Sequence, residues 1–229
     1  DCHVRYVSQA SELGEPDVVI LPGTKNTIED LLFVQKSGLS EAIKKLYYAK
    51  KSVIVGICGG FQMLGREISD PYKVETNSGS INGFGFFPLR TVMTKEKWTT
   101  RSKGMMNYQN AVIPVEGYEI HMGKTDAEET IFPLITMNGK TDGCKSEDER
   151  VLGTYFHGIF HNDNFRKLFL NSIRERKGLP PINDRTSVHN IREAAFDKLA
   201  DCLRQHLNLD MIYKEMERFQ HGVSKIVER

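Results

Sequence analysis

Apolar residues come first as two short unbroken runs. Val18-Val19-Ile20-Leu21 ends at Pro22-Gly23, and Val53-Ile54-Val55-Gly56-Ile57 ends at Cys58-Gly59-Gly60. Runs of this length without polar alternation predict strands buried on both faces, as in a parallel sheet. Between them, Thr27 to Gln35 and Gly38 to Lys50 carry helical spacing, with Leu39, Ala42, Ile43 and Leu46 on one face. Phe61-Gln62-Met63-Leu64-Gly65 begins another helix. Strand, helix, strand, helix predicts an α/β sheet with right-handed crossovers.

Further along the pattern is less regular. Val4-Arg5-Tyr6-Val7 reads as a strand that begins almost at once, and Phe84-Gly85-Phe86-Phe87 as a short β segment. Thr94 to Asn107 reads as a loop or hairpin, Tyr118-Glu119-Ile120-His121 as strand, and Thr136 to Arg150 as an exposed loop. Val151 to Phe156 is strand-like and runs into His157. Asn164 to Lys177 is an amphipathic helix stopped by Gly178 and Pro180. Ile191 to Met216 is mostly helical, and the charged tail to Arg229 is expected to fray.

Composition narrows the class. With 31 Lys+Arg against 30 Asp+Glu, the net charge of +1 creates no field for nucleic acid or an anionic membrane. No apolar run approaches the roughly 18–20 residues of a span. The four cysteines (Cys2, Cys58, Cys144 and Cys202) form neither a CxxC pair nor a disulfide framework, which predicts a cytoplasmic setting. Asp1 in place of methionine suggests the C-terminal piece of something longer.

The chemistry gathers at Gly56-Ile57-Cys58-Gly59-Gly60, where a buried strand meets a helix. This is the thiol counterpart of a nucleophile elbow, in which small neighbours let the backbone turn sharply beneath the reactive group. A helix N-terminus favours thiolate, and the Gly59 N–H is placed to face a developing oxyanion. No Walker lysine follows, so a phosphate-binding turn is disfavoured. Among seven histidines, His3, His189, His206 and His221 lie in terminal or helical stretches and read as surface or capping residues. His157 sits at the carboxyl end of a strand, where open α/β sheets place their sites, and its imidazole suits general base and acid. His161 lies four residues on, but in a strand-and-turn context that speaks against a metal pair, so no metal site is expected.

Cys58-Gly59-Gly60-Phe61-Gln62 matches the C-x-G-x-Q pattern of class I glutamine amidotransferases, and the chain resembles their cobyric acid synthase subgroup. The likeness extends over nearly the whole chain. It includes Leu21 to Thr27 with Asp30-Leu31, Gly83 to Thr91, Tyr118-Glu119-Ile120-His121-Met122-Gly123, and Gly153 to Phe160. It implies an open, mostly parallel, flavodoxin-like sheet flanked by helices. Cys58 would form a glutamyl thioester with His157 as its base, Gly23, Thr24 and Gly59 would form the oxyanion hole, and Gln62 would contact glutamine. Glu119 and His121 would line the site or hold its wall. Triad members place a Glu two residues after the histidine; Ile159 stands there, implying a Cys–His dyad.

The resemblance also implies a division of labour. Residues 1–178 would be the amidotransferase domain, and 179–229 a helical extension of it. An N-terminal ligase domain, absent from this chain, would use ATP and Mg to amidate a corrinoid, so this domain needs no cofactor of its own. A glutaminase acting on a peptidoglycan precursor and a non-catalytic domain of the same fold are the alternatives.

Overall fold

The computed structural model describes residues 2–77 and 79–227, with side chains through residue 220. In chain order the first unit contains α1 (Ala10–Leu13), β1 (Val18–Leu21), α2 (Thr27–Lys36), α3 (Leu39–Tyr48), β2 (Val53–Ile57) and α4 (Gly59–Met63). There follow β3 (Glu67–Ser69), β4 (Ser80–Asn82), β5 (Leu89–Tyr108), β6 (Ala111–Ala127), β7 (Phe132–Met137), β8 (Lys140–Lys145) and β9 (Val151–Thr154). A 3-10 turn at Ile159–His161 leads into α5 (Asp163–Arg176). By compactness the chain divides into Asp1–Ile182 and Asn183–Arg229. The second unit holds α6 (Val188–His206) and α7 (Leu209–Val227).

The parallel strands β1, β2 and β9 form the part of the sheet that carries the site. Beyond β9 the sheet turns antiparallel through β8, β7 and β5, then continues to β3 and β4, with β6 joined to the sheet by its pairing with β5. Strand β2 is buried on both sides, as its unbroken apolarity requires. Ile54 joins one core with Ile28, Leu31 and Leu64. Val53 and Val55 join another, with Phe156, Phe165 and Phe169 of the β9–α5 region. At the sheet's edge, β1 departs from expectation because Ile20 remains 44% exposed.

Other expectations need correction. Val4–Val7 is not a strand. Instead the Arg5 guanidinium donates to the carbonyls of Glu12 and Leu13, tying the segment to the end of α1. Phe84–Phe87 is also irregular: the N–H groups of Phe84, Phe86 and Phe87 bond to Met63 and Leu64 carbonyls, closing the end of α4 rather than joining a ladder. The supposed loop from Thr136 to Arg150 is largely the β7–β8 hairpin, whose polar residues face outward while Asp142 and Cys144 point in. Thr94–Asn107 lies within the long β5–β6 hairpin. Helix α7 continues past Met216 to Val227, and the last two residues of the tail lie outside those described.

Candidate active site

Cys58 sits between β2 and α4 with φ 53° and ψ −112°, a strained backbone for a non-glycine residue. Its N–H donates to Thr154 O (2.8 Å), fixing the turn to β9, and Gly60 N–H donates to Pro22 O (3.1 Å), fixing it to β1. The glycines are steric necessities. A β-carbon on Gly60 would stand 2.0 Å from the Leu21 carbonyl oxygen, and one on Gly56 would stand 2.6 Å from Gly60 O. The thiol is buried and its Sγ–H donates to Ile120 O at 3.4 Å.

Burial pushes the Cys58 thiol up, and the nearby carboxylates of Glu75 and Asp142 push the same way; the Gly59 N–H only partly offsets them. The sequence expectation of a thiolate favoured by a helix terminus is therefore corrected. Helix α4 has five residues, and desolvation outweighs what its N-terminus provides. Cys58 therefore rests as a thiol rather than a thiolate.

His157 stands close to it. A β-carbon on Gly23 would lie 2.9 Å from His157 Cε1 and 3.5 Å from Cys58 Cβ, so the two side chains meet across this glycine. Strand β9 ends at Thr154, and His157 is placed instead by an isolated bridge to Tyr118: His157 N–H donates to Tyr118 O (2.8 Å) and Tyr118 N–H to His157 O (3.4 Å). Burial lowers the imidazole below its ordinary range, partly countered by the Ile120 carbonyl. Its Nε2 is buried without a hydrogen-bond partner, leaving one ring nitrogen uncommitted. The other described histidine side chains named as competitors (His3, His189 and His206) are exposed; that of His221 lies outside the described residues.

Thr24 and Gly59 are neighbours. A β-carbon on Gly59 would stand 3.3 Å from Thr24 N and 2.4 Å from Thr24 Cγ2. The Thr24 hydroxyl donates to Asp30 and accepts from Asn26 N–H (3.2 Å), which anchors this turn on the start of α2.

Gln62, expected to contact glutamine, is buried, only 2% exposed. Its Nε2 donates to Met122 O and to Tyr155 Oη, each at 3.1 Å, while its Oε1 accepts from Thr27 Oγ1 at 3.1 Å. The amide ties together α4, α2, β6 and the end of β9, with both of its N–H donors engaged.

Glu119 and His121 share one face of β6, as their alternation predicts. Ser102 donates to Glu119 Oε1, and His121 Nε2 lies 3.8 Å from Glu119 Oε2. The His121 ring stacks on Tyr155 at 3.9 Å between centroids, and burial lowers its pKa. Three contributors escaped the sequence reading. Asp142 accepts from the Thr154 hydroxyl and from Tyr155 N–H (3.1 Å), and burial raises its carboxyl to about 7. Tyr155 accepts from Gln62 and bonds Thr125 Oγ1 at 2.5 Å. The Glu75 carboxylate caps α2 by accepting from Thr27 N–H at 2.6 Å.

An uncharged thiol at a strained strand–helix turn beside an imidazole suits acyl transfer through a thioester. Comparisons with known proteins agree. A cobyric acid synthase of Anoxybacillus flavithermus is 48% identical over 222 residues, covering 97% of this chain and 44% of that protein. One from a Geobacillus species is 49% identical over 220 residues, covering 96% and 44%. One from Clostridium acetobutylicum is 44% identical over 221 residues, covering 94% and 44%. The chain thus spans less than half the length of these relatives. A crystal structure of a glutamine amidotransferase shares the fold, with a TM-score of 0.55 at 12% identity over 74% of this chain and 85% of that one. The CobB/CobQ-like glutamine amidotransferase domain matches residues 1–165, and the chain belongs to that family.

Proposed function

We propose that this chain is the glutamine-hydrolysing portion of a cobyric acid synthase, with Cys58 as nucleophile and His157 as general base and acid. The observation that carries the mechanism is the meeting of Cys58 and His157 across Gly23 at a strained strand–helix turn. His157 takes the thiol proton as sulfur attacks the side-chain amide carbon of glutamine. The tetrahedral oxyanion is held by the Gly59 N–H and an N–H of the Gly23–Thr24 turn. His157 returns the proton to the amide nitrogen, ammonia leaves, and a glutamyl thioester remains on Cys58. Water then attacks with His157 as base, releasing glutamate and restoring the thiol.

Identity of 44–49% to cobyric acid synthases across nearly the whole chain supports the destination of the ammonia. In this reading an ATP- and Mg-dependent ligase portion amidates side-chain carboxylates of adenosylcobyrinic acid a,c-diamide with it. This portion contributes glutamine chemistry alone and makes little corrinoid amide by itself. Among the described residues no helix is long and apolar enough to cross a membrane. The test joins the chain to the ligase portion of one of these relatives and supplies ATP, Mg and the corrinoid. Glutamine-dependent amidation should occur and should disappear in Cys58→Ala, while added ammonia should restore it. Amidation that ignores Cys58→Ala, or none with glutamine while ammonia supports it, would contradict the reading.

A further inference from the structure

The residue two places after the base is Ile159, buried in the core with Phe156 and Phe165, so no carboxylate orients His157 from that position. What approaches the ring instead is one edge of β6. This strand pairs with β5 along one side only. In an antiparallel strand, alternate residues direct their carbonyls to the same edge. On the edge facing away from β5, three successive carbonyls of this set each meet a different part of the site. Tyr118 O accepts from His157 N–H at 2.8 Å, Ile120 O from Cys58 Sγ–H at 3.4 Å, and Met122 O from Gln62 Nε2 at 3.1 Å. Base, nucleophile and the Gln62 amide are thus set along the single edge of β6 that faces away from β5.

The same segment also clamps the imidazole. The Tyr118 ring lies parallel to that of His157, with centroids 5.0 Å apart and 7° between planes. Close approach is possible because Gly117 has no side chain: a β-carbon there would stand 2.7 Å from His157 O and 3.0 Å from Phe156 Cδ2. The ring also borders Gly23, where a β-carbon would stand 2.9 Å from His157 Cε1. Tyr118 itself is 45% exposed, so its ring adds little to the core, and its closest aromatic neighbour is the base.

We infer that the outward edge of β6 replaces the missing carboxylate of the triad, with Tyr118 as a positioning residue whose ring holds the His157 imidazole and whose backbone bridge fixes the His157 main chain. The inference rests on the reading of His157 as the base. Orientation by an uncharged ring and a backbone bridge differs from orientation by a carboxylate in its consequence. It selects the ring's position without adding the full charge that would stabilise a resting imidazolium, in keeping with a site whose nucleophile rests as a thiol.

The test uses the full chain labelled with 15N-histidine, the His157 signals being assigned by their loss in His157→Ala. In the parent chain His157 should show one fixed tautomer and titrate below free imidazole. Tyr118→Ala should mix the tautomers and move the titration back towards free imidazole, because water reaches the uncovered ring. Tyr118→Phe should keep the parent behaviour, since the stack and not the hydroxyl is at work. Glutaminase assays should show kcat falling about tenfold or more in Tyr118→Ala with KM changed less than about twofold, and Tyr118→Phe within about twofold of the parent. Tyr118→Leu carries the same measurements if the alanine variant does not fold. Mixed tautomers in the parent, an alanine variant identical to it, or a phenylalanine variant as damaged as alanine would overturn the inference. Failure of the functional reading looks different: the parent chain would release no ammonia and Cys58 would not react, whatever the tautomer of His157.

Discussion

Replacing Gln62 with leucine separates its two possible roles. If the amide is a strut, the substitution removes three hydrogen bonds of 3.1 Å from a side chain that is 2% exposed. The Tyr155 hydroxyl keeps Thr125 as partner, at 2.5 Å. The Thr27 hydroxyl and the Met122 carbonyl lose theirs. Each buried group left unsatisfied costs about 1–3 kcal/mol, and burying the leucine methyl groups in place of the amide offsets about 1–2 kcal/mol. At the middle of these ranges the net loss is about 2.5 kcal/mol, which leaves a domain of ordinary stability folded. Urea unfolding followed through Trp98 fluorescence and far-UV circular dichroism should show the midpoint falling by about 1 M, with an unchanged slope near 2 kcal/mol/M. Glutamine KM of the folded variant should change by less than about threefold. An unmoved midpoint together with a KM raised tenfold or more would refute the strut and restore Gln62 as a substrate ligand.

Gly23→Ala should leave the fold intact but push the His157 ring from its place, because the new β-carbon would stand 2.9 Å from Cε1. Ammonia release should drop about tenfold or more with an unchanged circular dichroism spectrum, and full activity would dismiss the contact. Asp142 is raised to about 7 in the folded chain against about 3.9 unfolded. Its folded carboxyl binds the proton more tightly, so its stabilisation is complete below about pH 4 and is lost as pH rises to about 7, on the order of 4 kcal/mol at most. Asp142→Asn should therefore flatten the dependence of the urea midpoint between pH 5 and 7.5; an unaltered slope would show that another group titrates there. Since burial raises the Cys58 thiol, iodoacetamide at pH 7 should alkylate exposed Cys202 at least about tenfold faster than Cys58. The opposite order, read by peptide mass mapping, would mean a resting thiolate.

The sequence was most informative where one physical demand governs each position. Unbroken apolarity at Val53–Ile57 can only be a strand covered on both sides, and Gly-x-Cys-Gly-Gly beyond it can only be a sharp turn. The nearness of Cys58 to His157 and of Thr24 to Gly59 was legible because small residues mark the turns that bring them together. Polar residues with long-range partners were not. Asp142 sits in a stretch polar enough to pass for a loop, and only the pairing of β7 with β8 turns its side chain inward. Gln62 has the residue type of a ligand, but its burial depends on Thr27, Met122 and Tyr155 arriving from three other elements. Val4–Val7 failed for the converse reason: it has strand composition, but Arg5 holds it on the end of α1. The balance that keeps Cys58 a thiol depends on burial and on Glu75 and Asp142, none of which local sequence expresses.

The most direct test of the whole account is covalent labelling with a diazo-ketone analogue of glutamine, followed by mass mapping of the full chain. The analogue carries its own electrophile to the site, so it reports recognition of glutamine and attack by sulfur in one event. The account predicts a single adduct on Cys58, absent in Cys58→Ala, slowed in His157→Ala, and protected by excess glutamine. Adducts spread over Cys2 and Cys202 that glutamine does not suppress, with Cys58 unmodified, would contradict it.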